Sequence, residues 1–182
     1  MSGSPANPSA DSAFNAHLDW VVQTTQRVLE QNPQSSYAPM LFLFEGGQPQ
    51  LSLLAGLPES DDERREAMRS FGRQWREMGR AAPEAVFFAA EVWMARYDRE
   101  ELQQGRAPKP SEHPKAWEAL FVMGRTSDGR SNGAEIQMKR RPDRTILPGE
   151  TITNHFKPSA APVSDSGELL AAFYAGIGER GS

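Results

Sequence analysis

Glu91 stands in the middle of the most apolar stretch of the chain, Pro83 to Tyr97 (PEAVFFAAEVWMARY). A carboxylate there needs a partner or a raised pKa, because burying an unpaired charge is costly. Three other groups could join it in a composite site: Glu45 from a hairpin, and Glu112 and His113 from a long polar loop. Brought together, these carboxylates and the imidazole could bind a divalent metal or activate water. His113, beside Glu112 on the proline-stiffened Ser111-Glu112-His113-Pro114, also suits general-base work. The plainer readings are structural. Glu91 could form a salt bridge with Arg96, Arg125 or Arg140, or accept from backbone amides, and His113 could bond to backbone or cap a helix.

A second constellation is electrostatic. Arg65, Arg69, Arg73, Arg76 and Arg80 recur at spacings of 4, 4, 3 and 4, so they share one face of a helix. Such a row can grip phosphates or an acidic partner. The same stretch carries Asp61, Asp62, Glu63, Glu66 and Glu77, and Asp62 and Glu66 sit where they can pair with Arg65, Arg69 and Arg73. A smaller basic spot, Lys139, Arg140, Arg141 and Arg144, falls at a turn.

Several function classes drop out. The chain has no cysteine, which removes disulfides, thiolate metal sites and a cysteine nucleophile and fits a reducing cytoplasm. Its net charge of −4 and pI near 5.5 give no overall pull toward nucleic acid or anionic lipid. No apolar run approaches the ~18 residues of a membrane span. Gly176-Ile177-Gly178-Glu179-Arg180-Gly181 matches G-x-G-x-x-G. It ends a helix instead of joining a strand to one, so it reads as a frayed helix end and not as a dinucleotide site. The pattern calls for no cofactor and no metal. His17 and Trp20 lie at the edges of the first apolar stripe, and His17, with nothing nearby in sequence to chelate with it, reads as a half-exposed packing residue; His155 falls on a short late strand.

These groups must be positioned by elements the pattern predicts. Residues 1–10 read as a disordered tail before a single domain at 11–182. Asp11 or Ser12 caps a helix whose stripe is Phe14, Leu18, Val21, Val22, Thr25, Val28 and Leu29, ending before Pro33. Two apolar runs around Gly46-Gly47 predict a β-hairpin, and Pro49 predicts that its second strand is at a sheet edge or starts late. Ser60 and Glu63 form a capping box for a helix buried through Met68, Phe71, Trp75 and Met78 and stopped by Gly79 and Pro83. The Pro83–Tyr97 stretch is apolar on both sides and reads as a central strand.

After a polar connection, Asp98 to Ala116, strands follow at Trp117–Arg125 and Asn132–Arg141. The alternation of Ala134, Ile136 and Met138 with Glu135, Gln137 and Lys139 predicts one packed and one wet face. Short strands at Thr145–Leu147 and Thr151–Phe156 precede a last helix, with Leu169, Leu170, Phe173 and Ile177 docking on the sheet.

The Glu91-Val92-Trp93-Met94 strand followed by the Ser111-Glu112-His113-Pro114 loop resembles bacterial hypothetical proteins of unassigned function, over roughly Pro83 to Gly124. That resemblance implies no activity. The element order α-β-β-α-β-β-β-(β)-α predicts an α+β fold, a largely antiparallel sheet with helices on it, similar in order to profilin-like and roadblock-like domains. The expectation for function is a non-catalytic binding or assembly module acting on a protein partner or a second copy of itself. A metal-assisted or hydrolase-like enzyme centred on Glu91 and His113 is the alternative, and nucleic-acid binding through the arginine row the weaker one.

Overall fold

The computed structural model describes residues 8–33, 37–54, 56–58, 60–95, 97, 108–143, 145–154 and 165–179. Its elements are α1 (Pro8–Gln31), β1 (Met40–Glu45), β2 (Gln48–Leu53), α2 (Asp61–Glu77), β3 (Ala85–Ala95), β4 (Ala116–Thr126), β5 (Ser131–Arg140), β6 (Ile146–Asn154) and α3 (Asp165–Gly178). A single 3-10 turn at Pro110–Glu112 precedes β4. The α+β fold is present as expected. Six strands form one curled antiparallel sheet in the order β2-β1-β3-β4-β5-β6.

Side chains alternate across a strand, so each strand feeds two cores. Phe42, Phe44, Phe87, Leu120, Val122 and Ile136 point to the face covered by α1, which contributes Phe14, Leu18, Val21, Val22 and Leu29. Leu41, Leu43, Val86, Phe88 and Met123 point to the other face, under Met68 and Trp75 of α2 and Leu169, Leu170 and Phe173 of α3. The sheet is thus the middle layer of three. β3 is buried on both sides from Ala85 to Ala90, but beyond Ala89 it has lost β1 as a neighbour. Its second half is only partly covered, and Trp93 is 49% exposed.

Local chemistry explains the turns. Gly46 and Gly47 have φ of 57° and 73°, as the two-residue hairpin needs. The Ser60 side chain accepts from the Glu63 N–H at the start of α2, and Gly79, at φ 73°, ends it.

Several expectations need correction. α1 begins at Pro8, a residue preorganised for a first helical turn, so Asp11 lies inside the helix. Met78 lies beyond the last turn of α2 and is 62% exposed; Gly72 takes its place among the buried residues. The two short strands are one, β6, kept in the sheet by a register shift opposite Ile136/Met138. The wet face of β5 is dry at Glu135, which is buried and accepts a hydrogen bond from the Trp117 indole at 2.5 Å.

Of the glycines expected at a frayed helix end, Gly178 is the exposed last residue of α3 and Gly181 lies outside the described residues, but Gly176 differs. Gly176 is buried within α3. A methyl group on it would lie 2.0 Å from the Arg69 carbonyl oxygen, and one on Gly72 would lie 2.1 Å from that of Phe173. The two helices touch backbone to backbone. Alanine normally stabilises a helix interior by up to about 1 kcal/mol relative to glycine. Here the clash wins: Gly72→Ala and Gly176→Ala are each expected to destabilise by about 1–3 kcal/mol, the range for overpacking. Thermal or urea unfolding checks this, and an unchanged or raised Tm would mean that α2 and α3 are not in close contact.

Candidate functional site

Glu91 lies on the odd-numbered side of β3, with Phe87 and Ala89, and so faces α1. Its carboxylate accepts the Tyr37 N–H at 2.8 Å, in the link that carries the chain from α1 to β1. Arg140 approaches it at 3.8 Å and also binds Glu118, the neighbour on β4. Two carboxylates and one guanidinium therefore close the end of this face. Of the three arginines that could pair with Glu91, Arg140 does so. Arg125 lies on the odd-numbered side of β4, which faces α2 and α3, and Arg96 is outside the described residues.

The other candidates do not join it. Glu45 belongs to the odd-numbered side of β1 with Leu41 and Leu43, on the opposite face of the sheet. There it pairs with Arg80 at 3.5 Å and accepts from Gln50 at 3.2 Å. His113 precedes Ala116, the partner of Ala95 in the ladder. Ala95 is four residues past Glu91, about 13 Å along a strand. The imidazole is buried, lies edge-on to Tyr97 with centroids 4.9 Å apart, and accepts the Lys115 N–H at 3.1 Å through Nδ1. That is the backbone-bonded role. Glu112 is exposed on the preceding 3-10 turn. Among the described residues, no three Asp, Glu or His side chains gather as a cation site. His155 lies outside the described residues.

The arginine row is engaged from within. Arg65 pairs with Asp62 and with Glu168 at 2.7 Å. Arg69 pairs with Glu66 at 3.1 Å and Glu179 at 3.4 Å. Arg73 bridges the same two carboxylates at 2.8 and 2.9 Å. Hydrogen bonding to these arginines pulls the Glu66 carboxyl below its ordinary range. Arg80 lies over the Trp75 ring, 4.3 Å from its centroid. Arg76 forms no ion pair with a described residue. The pairs with Asp62 and Glu66 follow from helical spacing; the pairs with Glu168 in α3 and Glu179 just after it do not. Lys139 and Arg141 are exposed, while Arg140 turns to the α1 face, away from α2; Arg144 is outside the described residues.

His17 takes the packing role expected of it at the edge of the α1 stripe; a second feature was not foreseen. His17 stacks on Phe44 with centroids 4.0 Å apart and meets Glu84 at 3.7 Å. Burial lowers its pKa, and Glu84 only partly offsets this. The second is apolar surface at the sheet margin. Leu51 on the outermost strand is 54% exposed and Trp20 40% exposed, edge-on to Phe42 and Phe44. Pro49 pointed to an edge strand, but that Leu51 would lie opposite Phe42, the ring Trp20 meets edge-on, was not legible.

No family model matches this chain, and no curated protein or solved structure is similar to it.

Glu91 should behave as a structural carboxylate. Glu91→Ala strands the Tyr37 N–H and Arg140 and should cost about 1–3 kcal/mol in denaturant unfolding. Glu91→Gln retains an acceptor for the amide and should cost less, near the ~1 kcal/mol of a half-exposed ion pair. Equal losses would show that the charge, not the hydrogen bond, is what matters.

His17 gives a pH dependence. Its folded pKa lies below the unfolded value near 6.5, so the unfolded chain binds its proton first. Its contribution is complete above that value and fades as pH falls through the folded pKa. Stability measured from pH 7.5 to 5 should decline less in His17→Asn than in the parent chain; parallel curves would refute the assignment.

Proposed function

We propose that this chain is a non-catalytic binding and assembly module that acts through the open margin of its sheet. The observation that carries the reading is β2: an outermost strand with no charged side chain and with Leu51 exposed opposite Phe42, the ring that Trp20 meets edge-on. Exposed apolar surface next to open backbone is where proteins add a strand from a partner. The groups that would support catalysis are already committed. Glu91 holds Tyr37 and Arg140, and His113 is buried against Tyr97 with one nitrogen on backbone.

Nucleic-acid binding draws less support. Arg65, Arg69 and Arg73 carry three positive charges, and the Asp62, Glu66, Glu168 and Glu179 that they contact carry four negative ones. That cluster nets −1, so these three arginines offer a polyanion no net positive charge. A cysteine-free chain suits a reducing cytoplasm, where the module would work.

A photo-crosslinking amino acid placed at position 51 tests the reading in cells that make the protein. It should give a discrete adduct, and the same probe at Ser127, on the β4–β5 turn, should not. Failure to form any adduct at position 51, with turnover or metal-dependent stabilisation that disappears in Glu91→Gln, would replace this reading with an enzyme.

A further inference from the structure

We infer that β2 pairs with β2 of a second copy of this chain, antiparallel and centred on Leu51, extending the sheet across a two-fold axis. The inference rests on the binding-module reading and names its partner.

The backbone geometry comes first. Gly46-Gly47 closes the hairpin at Glu45↔Gln48, and Phe42 lies opposite Leu51. In a two-residue hairpin the closing pair is hydrogen-bonded, and bonded and non-bonded pairs then alternate. Gln48, Gln50 and Ser52 therefore turn their N–H and C=O toward β1, while Pro49, Leu51 and Leu53 turn theirs outward. This parity explains why Pro49 is tolerated: the N–H it lacks would have faced away from β1. Among the described residues, no backbone group outside the sheet is bonded to Pro49, Leu51 or Leu53.

The outward groups match a second copy. A two-fold axis normal to the sheet keeps each face on its own side, so a residue must meet one of the same parity. Centring on Leu51 places the two Leu51 residues opposite each other and Pro49 opposite Leu53 of the second copy. The Leu51 residues exchange two N–H to C=O bonds. Each Leu53 N–H donates to the opposite Pro49 carbonyl, which needs no donor from the proline. Four backbone bonds form without moving the strand.

The side chains suit the same arrangement. Leu51 shares its face with Phe42, and Trp20 lies edge-on to Phe42 at 6.1 Å. Joining two copies makes a continuous apolar row, Trp20–Phe42–Leu51, met by its own reverse. The edge strand QPQLSL carries no charge, so like copies do not repel there. On the reverse face Gln50 is held by Arg80 and Glu45, a paired cation and anion rather than a free charge. The opposite margin is different. β6 carries Pro148 and a register shift, devices that blunt an edge.

The test uses the full chain. Light scattering on an eluting column at roughly 100 μM should give about twice the 20.2 kDa of one chain, and Leu51→Lys should give the single mass, with a folded-state circular dichroism spectrum and a Tm that no longer rises with concentration as the parent's does. Leu51 is exposed, so the lysine does not disturb the core. The chain has no cysteine of its own, so introduced thiols report register directly. In Leu51→Cys the two Cα atoms would lie about 5.5 Å apart, within disulfide reach. In Ser52→Cys they would be beyond about 7 Å. Mild oxidation should link Leu51→Cys at least tenfold faster than Ser52→Cys.

A monomeric parent chain, a dimer indifferent to Leu51→Lys, or equal linking of the two cysteine variants would overturn the inference. A monomer that still gives an adduct of a different chain at position 51 would leave the binding module standing with another partner. A monomer with no adduct would remove both.

Discussion

A strand apolar on both sides cannot lie at the surface, and β3 is such a strand from Ala85 to Ala90. It must have a layer above and a layer below, and most of the architecture follows. β1 beside it is equally two-sided, with Phe42 and Phe44 on one face and Leu41 and Leu43 on the other. One helix cannot cover both faces. α1 takes the first, and α2 and α3 share the second. To reach the same patch of sheet the two helices must come close, and Gly72 and Gly176 permit it by exposing bare backbone at the crossing. The ion pairs of Arg65, Arg69 and Arg73 with Glu168 and Glu179 then line that contact. At about 0–1 kcal/mol each when exposed, they orient the helices more than they hold them; burial of Met68, Trp75, Leu170 and Phe173 does that.

The parts of the fold that sequence reveals are those decided locally. Gly-Gly between apolar runs allows little but a tight hairpin, and Ser60 with Glu63 fixes a helix start whatever packs on it. Where tertiary context decides, local pattern misleads. Met78 is in phase with the apolar stripe of α2 yet falls past its end, where no core remains to receive it. Glu135 is polar at an alternating position and reads as wet. It is buried because the Trp117 indole, on the neighbouring strand and eighteen residues earlier in sequence, supplies its hydrogen bond. Pro148 and Gly149 appear to break β6 in two, and a bulge absorbs them at a sheet margin, where an incomplete ladder is tolerated.

The candidate site divides in the same way. That Glu91 needed a partner was evident from its neighbours, and Arg140 was among the arginines it could reach. The Tyr37 amide was not foreseeable, because any residue supplies an N–H and only the path of the α1–β1 link selects this one. Glu45 could not be separated from Glu91 until the β1–β3 register was known. Met40↔Ala89 and Phe44↔Ala85 place odd residues of β3 opposite even residues of β1, so the two carboxylates lie on opposite faces. A shift of one residue in that pairing would have brought them to the same side.

With Arg65, Arg69, Arg73 and Arg80 of its arginine row paired internally, this fold offers a ligand less by electrostatics than the row alone suggests. The arginine cluster is closed by its own carboxylates, and Arg140 is shared between Glu91 and Glu118. The proposed binding role would then use what internal pairing leaves over, which is apolar surface and open backbone. Among the described residues the two occur together along β2, and again on β3 beyond Ala89, where β1 has ended and Trp93 is exposed. α1 runs over β3 to β6 and reaches the β1–β2 margin through His17 and Trp20, whose rings lie against Phe42 and Phe44. The same two-sided burial that fixes the centre of the sheet therefore leaves Leu51, one strand further out, exposed.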